Sequence, residues 1–306
     1  MDHPVATADA LGDLHPARPL AAPWNAAAPL ALLVASGAIL YWRVFVKLVH
    51  DWATDGNYSH GFLIVPIALY LAWERRTRFT AAERRPSNFG IAIVLGSLAL
   101  LFVGVIGVEF FTTRLSMLGI LAGTVLFLFG WARLRVMFFP IAFLLLMIPI
   151  PAIIFNQVAF PLQLLASRFG EWTLMTCQIP VLREGNLITL ANTTLEVAEA
   201  CSGIRSLISL LTLGIVYGYF RESRLWVRVV LALATLPVAI AANAFRVAGT
   251  GLAAHFYGPD AAQGFFHSFS GWLVFLLAFA MLFVLHWILR LVGRRKTAAA
   301  APTRTF

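Results

Sequence analysis

The chain has 306 residues, 60% of them hydrophobic and only 12% charged, with a mean hydropathy of +0.83. A soluble domain is about half apolar and about 25% charged, so this composition excludes a soluble enzyme and points to an all-α polytopic membrane protein rather than a β-barrel, whose ~10-residue alternating segments do not recur here. The net charge of +9 does not indicate nucleic-acid binding, because the basic residues sit mostly in short turns between apolar runs, where bilayer topology and anionic lipid place them.

Residues 1–28 are rich in Ala and Pro, carry Asp2, Asp9 and Asp13, and lack an apolar core. They read as a disordered cytoplasmic tail rather than a signal peptide. An integral membrane domain is expected over 29–292, with a basic cytoplasmic tail over 293–306. At ~20 residues per crossing, about eight spans fall near 29–49, 58–74, 88–108, 114–130, 136–155, 203–220, 227–248 and 268–290. The segments after the second, fourth and sixth spans and the C-terminus carry Arg75, Arg76, Arg78, Arg84, Arg85, Arg133, Arg135, Arg221, Arg224, Arg294, Arg295 and Lys296. Those after the first and third carry almost none. This asymmetry predicts both termini in the cytoplasm; Arg43 and Lys47, near the outer end of the first span, run against it and are expected to snorkel or face a polar interior. Gly119-x-x-x-Gly123 and Gly214-x-x-x-Gly218 read as close-packing faces.

One outer insertion, 156–202, is far longer than the other connections. It follows Pro149-Ile150-Pro151, which ends or breaks the fifth span. Residues 156–172 read as an amphipathic helix in the interface. A short β-hairpin follows, with Glu184-Gly185-Asn186 as its turn. Thr194-Leu195-Glu196-Val197-Ala198 then leads into Cys201.

The topology gathers three reactive residues at one depth. Cys201 opens the sixth span from the outer side. Arg246 lies 18 residues beyond Arg228, ~27 Å along a helix, and so nearly crosses a ~30 Å hydrocarbon core. His267 immediately precedes the eighth span. A helix N-terminus and a neighbouring cation favour a thiolate at Cys201. Arg246 offers a fork of donors for an oxyanion, and His267 transfers protons near neutral pH. Taken singly, each residue has a plainer reading: a small buried hydrophobe, a snorkelling arginine, an interfacial histidine. Their coincidence at one depth favours cysteine-based acyl transfer. Asn243 shares a helix face with Arg246, and Arg205 with Cys201. Glu199, Ser202, Tyr58 and His60 lie close to the same surface and are supporting candidates. Cys177 reads as structural; a Cys177–Cys201 disulfide is the less expected alternative. His255 is expected to face a loop and His286 to lie toward the cytoplasmic end. No metal-ligand spacing and no cofactor motif is present.

Tyr58-Ser59-His60-Gly61-Phe62, Pro149-Ile150-Pro151, Glu199-Ala200-Cys201-Ser202-Gly203-Ile204-Arg205, Asn243-Ala244-Phe245-Arg246-Val247 and His267-Ser268-Phe269-Ser270-Gly271-Trp272 together resemble the exosortases, bacterial relatives of the archaeosortases, over residues 40–290. The resemblance implies a cysteine peptidase or transpeptidase with Cys201, Arg246 and His267 as catalytic residues. Its partners would be exported proteins ending in a PEP-CTERM signal: a Pro-Glu-Pro-like motif, one transmembrane helix and a basic tail. It also implies an inner-membrane location, a periplasm-facing site and an association with exopolysaccharide production. The rival reading is a transporter or lipid-headgroup-binding scaffold of an export system, in which Arg246, Arg205 and His267 hold an anionic headgroup.

Overall fold

The computed structural model describes residues 24–191, 193–197, 204–258 and 265–299, with the backbone alone described for 24–30, 204, 265–270 and 292–299. Most of the expected N-terminal tail and Glu199, Cys201 and Ser202 lie outside the described residues. Residues 1–45 form one compact unit and 46–306 the other.

The first unit contains α1, Trp24–Leu40, and the start of α2, Trp42–Thr54. The helical ladder carries across the junction, with the Tyr41 amide donating to Gly37 and the Phe45 amide to Tyr41. The expected span from 29 therefore starts earlier, at Trp24, and is broken at Tyr41.

The second unit holds the rest of α2, then α3 (Gly61–Glu74), α4 (Arg76–Ala81), α5 (Phe89–Ile106), α6 (Phe110–Phe129), α7 (Trp131–Phe143) and a 3-10 turn, Leu144–Met147. It continues with α8 (Ala152–Thr176), three strands, α9 (Ile204–Arg221), α10 (Leu225–Tyr257) and α11 (Phe265–Ala299). Helical segments lie in all eight expected windows, with the fifth broken at 148–151. Among the described residues, four helices are by themselves long and apolar enough to cross a bilayer, or six if each of two broken pairs counts as one crossing. The 14-residue α3 is short for a crossing.

Helices α5 and α6 form a tight hairpin. Gly119 faces Ser97, and a Cβ at Gly123 would lie 2.9 Å from the Val94 side chain, so the small-residue face packs backbone against backbone. Glu109 caps α6, accepting from the amides of Phe111 (3.0 Å) and Thr112 (2.6 Å). Gly130 joins α6 to α7 at φ +86° and ψ 179°, a region essentially confined to glycine that costs other residues about 1–3 kcal/mol.

The break after the fifth window is sharp. Pro149-Ile150-Pro151 cannot continue the ladder, and the α7–turn segment meets α8 at 75°. The polypeptide then forms a lobe that hydropathy alone does not delimit. Helix α8 runs to Thr176, past the expected 172, and its buried Ala166, Gly170 and Leu174 lie on one face packed on α10. Helix α10 does not stop near 248 but runs to Tyr257, 33 residues and ~50 Å in all. That exceeds a ~30 Å hydrocarbon core; its last turns serve the lobe, where Val247 and Ala254 share an apolar core with Leu174, Ile179, Ile188, Leu190 and Val197. His255, expected to face a loop, lies in the last turn of α10.

The strands are β1 (Val181–Glu184), β2 (Leu187–Leu190) and β3 (Thr194–Glu196), an antiparallel meander in the order β1-β2-β3. The two-residue turn Gly185-Asn186 joins the first pair, with Gly185 at φ +64°. The hairpin thus gains a third strand from the segment that leads toward Cys201. At the other end of the chain, α11 runs to Ala299, so the expected tail from 293 begins as helix.

The second unit has two ends. The sheet end carries the lobe, the starts of α3, α6, α9 and α11, and the end of α10. The arginine end carries the opposite termini.

Candidate active site

Arg246 is half-buried on α10, one turn after the buried Asn243. Its head group reaches α11. A Cβ built on Gly271 would sit 3.6 Å from one terminal guanidinium nitrogen and 3.7 Å from Cζ. Gly271 lies one helical turn after His267 on α11, so the two residues share a face. The α10–α11 packing thus brings the guanidinium to within about one turn of the His267 backbone. A glycine at this contact lets the charged group lie close against the helix.

Arg205, the second residue of α9, is exposed and directed at the α2–α3 loop. Its Nε donates to Asn57 Oδ1 at 3.3 Å, and its Cζ would lie 2.9 Å from a Cβ on Gly56. The start of α9 is therefore tied to residues 56–57.

Tyr58 and His60 are buried in the same neighbourhood and hold the α7–α8 break. Tyr58 Oη accepts the Ile150 amide at 3.2 Å, and His60 Nε2 lies 3.1 Å from the Leu146 carbonyl. Trp52 Nε1 donates to the Met147 carbonyl at 2.9 Å. Three side chains from the α2–α3 corner thus satisfy backbone groups that the prolines expose.

An ion pair that the sequence reading did not single out lies beside this corner. Arg114, in the first turns of α6, has a side chain only 3% exposed and donates to Asp51 of α2. Asp51 also accepts from Lys47 at 2.6 Å, which gives the anomalous Lys47 a local anion. The signal was available: Arg114 is a cation inside an apolar span, and such a residue normally requires a partner. Asp51, Asn57, Tyr58, Glu109 and Arg114 help line a cavity of about 640 Å³ at the sheet end. Burial alone would raise the Glu109 carboxyl, but the amides of Thr112 and Phe111 outweigh it and hold the group below its ordinary range.

His286 lies at the opposite end, buried, with Nδ1 2.7 Å from Tyr217 Oη and Nε2 3.5 Å from Glu222. Cys177 is an exposed thiol at the end of α8.

A family model described as transmembrane exosortase (Exosortase_EpsH) matches residues 52–284. The chain belongs to the exosortase family. No curated protein and no solved structure matches it.

Proposed function

We propose that the protein is a membrane cysteine peptidase or transpeptidase that removes the C-terminal sorting signal of exported proteins. Cys201 Sγ attacks the scissile carbonyl carbon, forming a C–S bond. Arg246 stabilises the resulting oxyanion. Collapse breaks the C–N bond, and His267 gives its proton to the leaving amine. Water or an amine then attacks the thioester and frees Cys201. The substrate carries a Pro-Glu-Pro-like motif, one transmembrane helix and a basic tail. The enzyme sits in the bacterial inner membrane with both termini cytoplasmic and the sheet end facing the periplasm.

One observation carries this reading: the Arg246 guanidinium lies against α11 at Gly271, one turn from His267. A snorkelling arginine would lead its head group into the headgroup region instead. Family membership supports the nucleophile's assignment to the Cys201 block.

The test is co-expression with a protein ending in such a signal and mass spectrometry of its mature C-terminus. Wild type is expected to release a shortened product, and Cys201→Ala to leave full-length substrate in the membrane. Processing by Cys201→Ala but not by Cys177→Ala would overturn the assignment.

A further inference from the structure

The three-stranded sheet has one edge whose polar groups point away from it. In the β2–β3 pairing Ile188 lies opposite Leu195. The Val197 amide donates to Asn186 at 2.9 Å, and the Leu190 amide to the Thr193 carbonyl at 2.8 Å. Residues 193, 195 and 197 therefore direct their amides and carbonyls at β2, and alternation turns those of Thr194 and Glu196 outward. Both are exposed. The opposite edge strand, β1, packs on α8, with Arg183 joined to Glu171 at 2.6 Å. Among the described residues no strand pairs with the outer edge of β3.

This edge has a defined relation to the nucleophile. Four residues, 197–200, separate β3 from Cys201, so strand and thiol lie within ~18 Å of each other along the chain. A peptidase also needs its substrate extended at the scissile bond. A helix ties up each carbonyl in its own ladder, and an unwound segment at a membrane boundary exposes amides and carbonyls that need partners. An outward row of backbone donors and acceptors supplies them.

We propose that the free edge of β3 is a substrate subsite, onto which the extended segment beside the scissile bond adds as a fourth strand. The proposal rests on the peptidase reading and names how its substrate is held. Main-chain pairing gives affinity with little sequence demand, so proteins that share only a short motif are accepted together.

The experiment uses Cys201→Ala protein in nanodiscs and a synthetic peptide spanning the scissile bond, with binding measured without turnover. Single N-methyl groups are placed at successive peptide amides. Methylation is expected to weaken binding about fivefold to tenfold at every second position, as loss of one backbone hydrogen bond does. In parallel, Glu196→Pro removes an outward amide while sparing the bonds to β2. It is expected to raise KM about tenfold, leaving the labelling rate of Cys201 by a thiol probe and the melting temperature unchanged. Leu195→Pro, which removes a β2 bond, is expected to lower the melting temperature. Uniform tolerance of N-methylation, or sensitivity without alternation, would overturn the subsite even if wild type cleaves. Alternating binding to a peptide that wild type never cleaves would uphold the subsite and sink the peptidase reading. Should Glu196→Pro not fold, the N-methyl series decides alone.

Discussion

The two ends of the membrane unit use the same cation for different purposes. At the arginine end, guanidinium groups close helices. Arg75 donates to the Val136 carbonyl at 2.9 Å, Arg84 to Leu128 at 3.2 Å, Arg133 to Ala82 at 3.1 Å and Arg290 to Arg221 at 3.1 Å. Several also lie over rings, as Arg75 does over Phe139 and Tyr219 and Arg76 over Trp73. Helices α3, α6 and α9 all end here, so their terminal carbonyls and negative dipole ends face these cations. Topology and helix capping account for most arginines at this end.

At the sheet end the printed partners of the cations are mostly side chains of other elements rather than helix carbonyls. Arg114 and Lys47 pair with Asp51, Arg183 pairs with Glu171, Arg205 ties α9 to Asn57, and Arg246 reaches α11. The lesson is that an arginine whose placement helix capping does not explain is a stronger functional candidate than one whose placement it does.

The largest expected effect tests Arg246. Arg246→Gln should lower processing about 10²–10³-fold, the usual loss on removing an oxyanion donor, with the melting temperature little changed. The Gly271 contact sharpens this. A methyl group there meets the guanidinium only at van der Waals distance, so Gly271→Ala should process normally. Gly271→Leu should displace the head group and approach the Arg246→Gln rate. Equal activity of both Gly271 variants would show that the contact does not position Arg246. The stability effect expected to be largest belongs to the buried pair. Asp51→Asn leaves Arg114 uncompensated and should cost about 3–5 kcal/mol in unfolding free energy, whereas Asp51→Leu with Arg114→Met should recover most of it. No comparable loss is expected from Arg76→Ala at the arginine end, whose carbonyl contact with Trp73 is exposed.

Much of this was legible in the residues. The prolines at 149 and 151 announced the break, Glu184-Gly185-Asn186 the turn, and the arginine pattern the ends. What escaped had physical reasons. Helix α10 outruns its apolar stretch because Thr250-Gly251-Leu252-Ala253-Ala254-His255 is covered by protein rather than lipid, and hydropathy reads only the latter. Gly251 looks like a stop signal, yet it is buried beside Leu174, where a Cβ would come within 3.0 Å of that side chain. Asp51 and Arg114 are 63 positions apart, so no local period links them. Tyr58 and His60 are buried just before α3, and their partners at Ile150 and Leu146 are backbone groups that no side-chain pattern marks. Arg205 is expected to share a face with Cys201, which lies outside the described residues; its hydrogen bond goes to Asn57, 148 positions away.

Smaller effects separate the ends further. Glu109→Ala removes a cap with two amide bonds at the sheet end and should cost about 1 kcal/mol, read from chemical unfolding. Tyr219, at the arginine end, receives Arg75 Nε at 3.2 Å and donates to Glu74 at 2.9 Å. Both partners are charged but lie near solvent, so Tyr219→Phe should cost about as little or less.

The smallest prediction concerns pH. Glu222, in the α9–α10 connection, is half-buried, and burial by itself would raise its carboxyl. The amides of Arg224 and Ser223, with His286 and Arg290, outweigh burial and hold it below the ordinary value. A folded-state value below the unfolded one means that the native protein binds the proton more weakly. The carboxylate therefore contributes its full stability above about pH 4.5, and loses it progressively as pH falls through the lower folded value. Glu222→Gln should flatten that acid limb without abolishing it, because Glu109 is depressed in the same direction by its own amides. The change should be under about 1 kcal/mol, since the Arg290 partner is half exposed and screened. Melting temperatures measured from pH 6 downward in wild type, Glu222→Gln and Glu109→Gln separate the two ends. If Glu222→Gln leaves the limb unaltered, the α9–α10 connection contributes nothing to it, and acid sensitivity belongs to the sheet end.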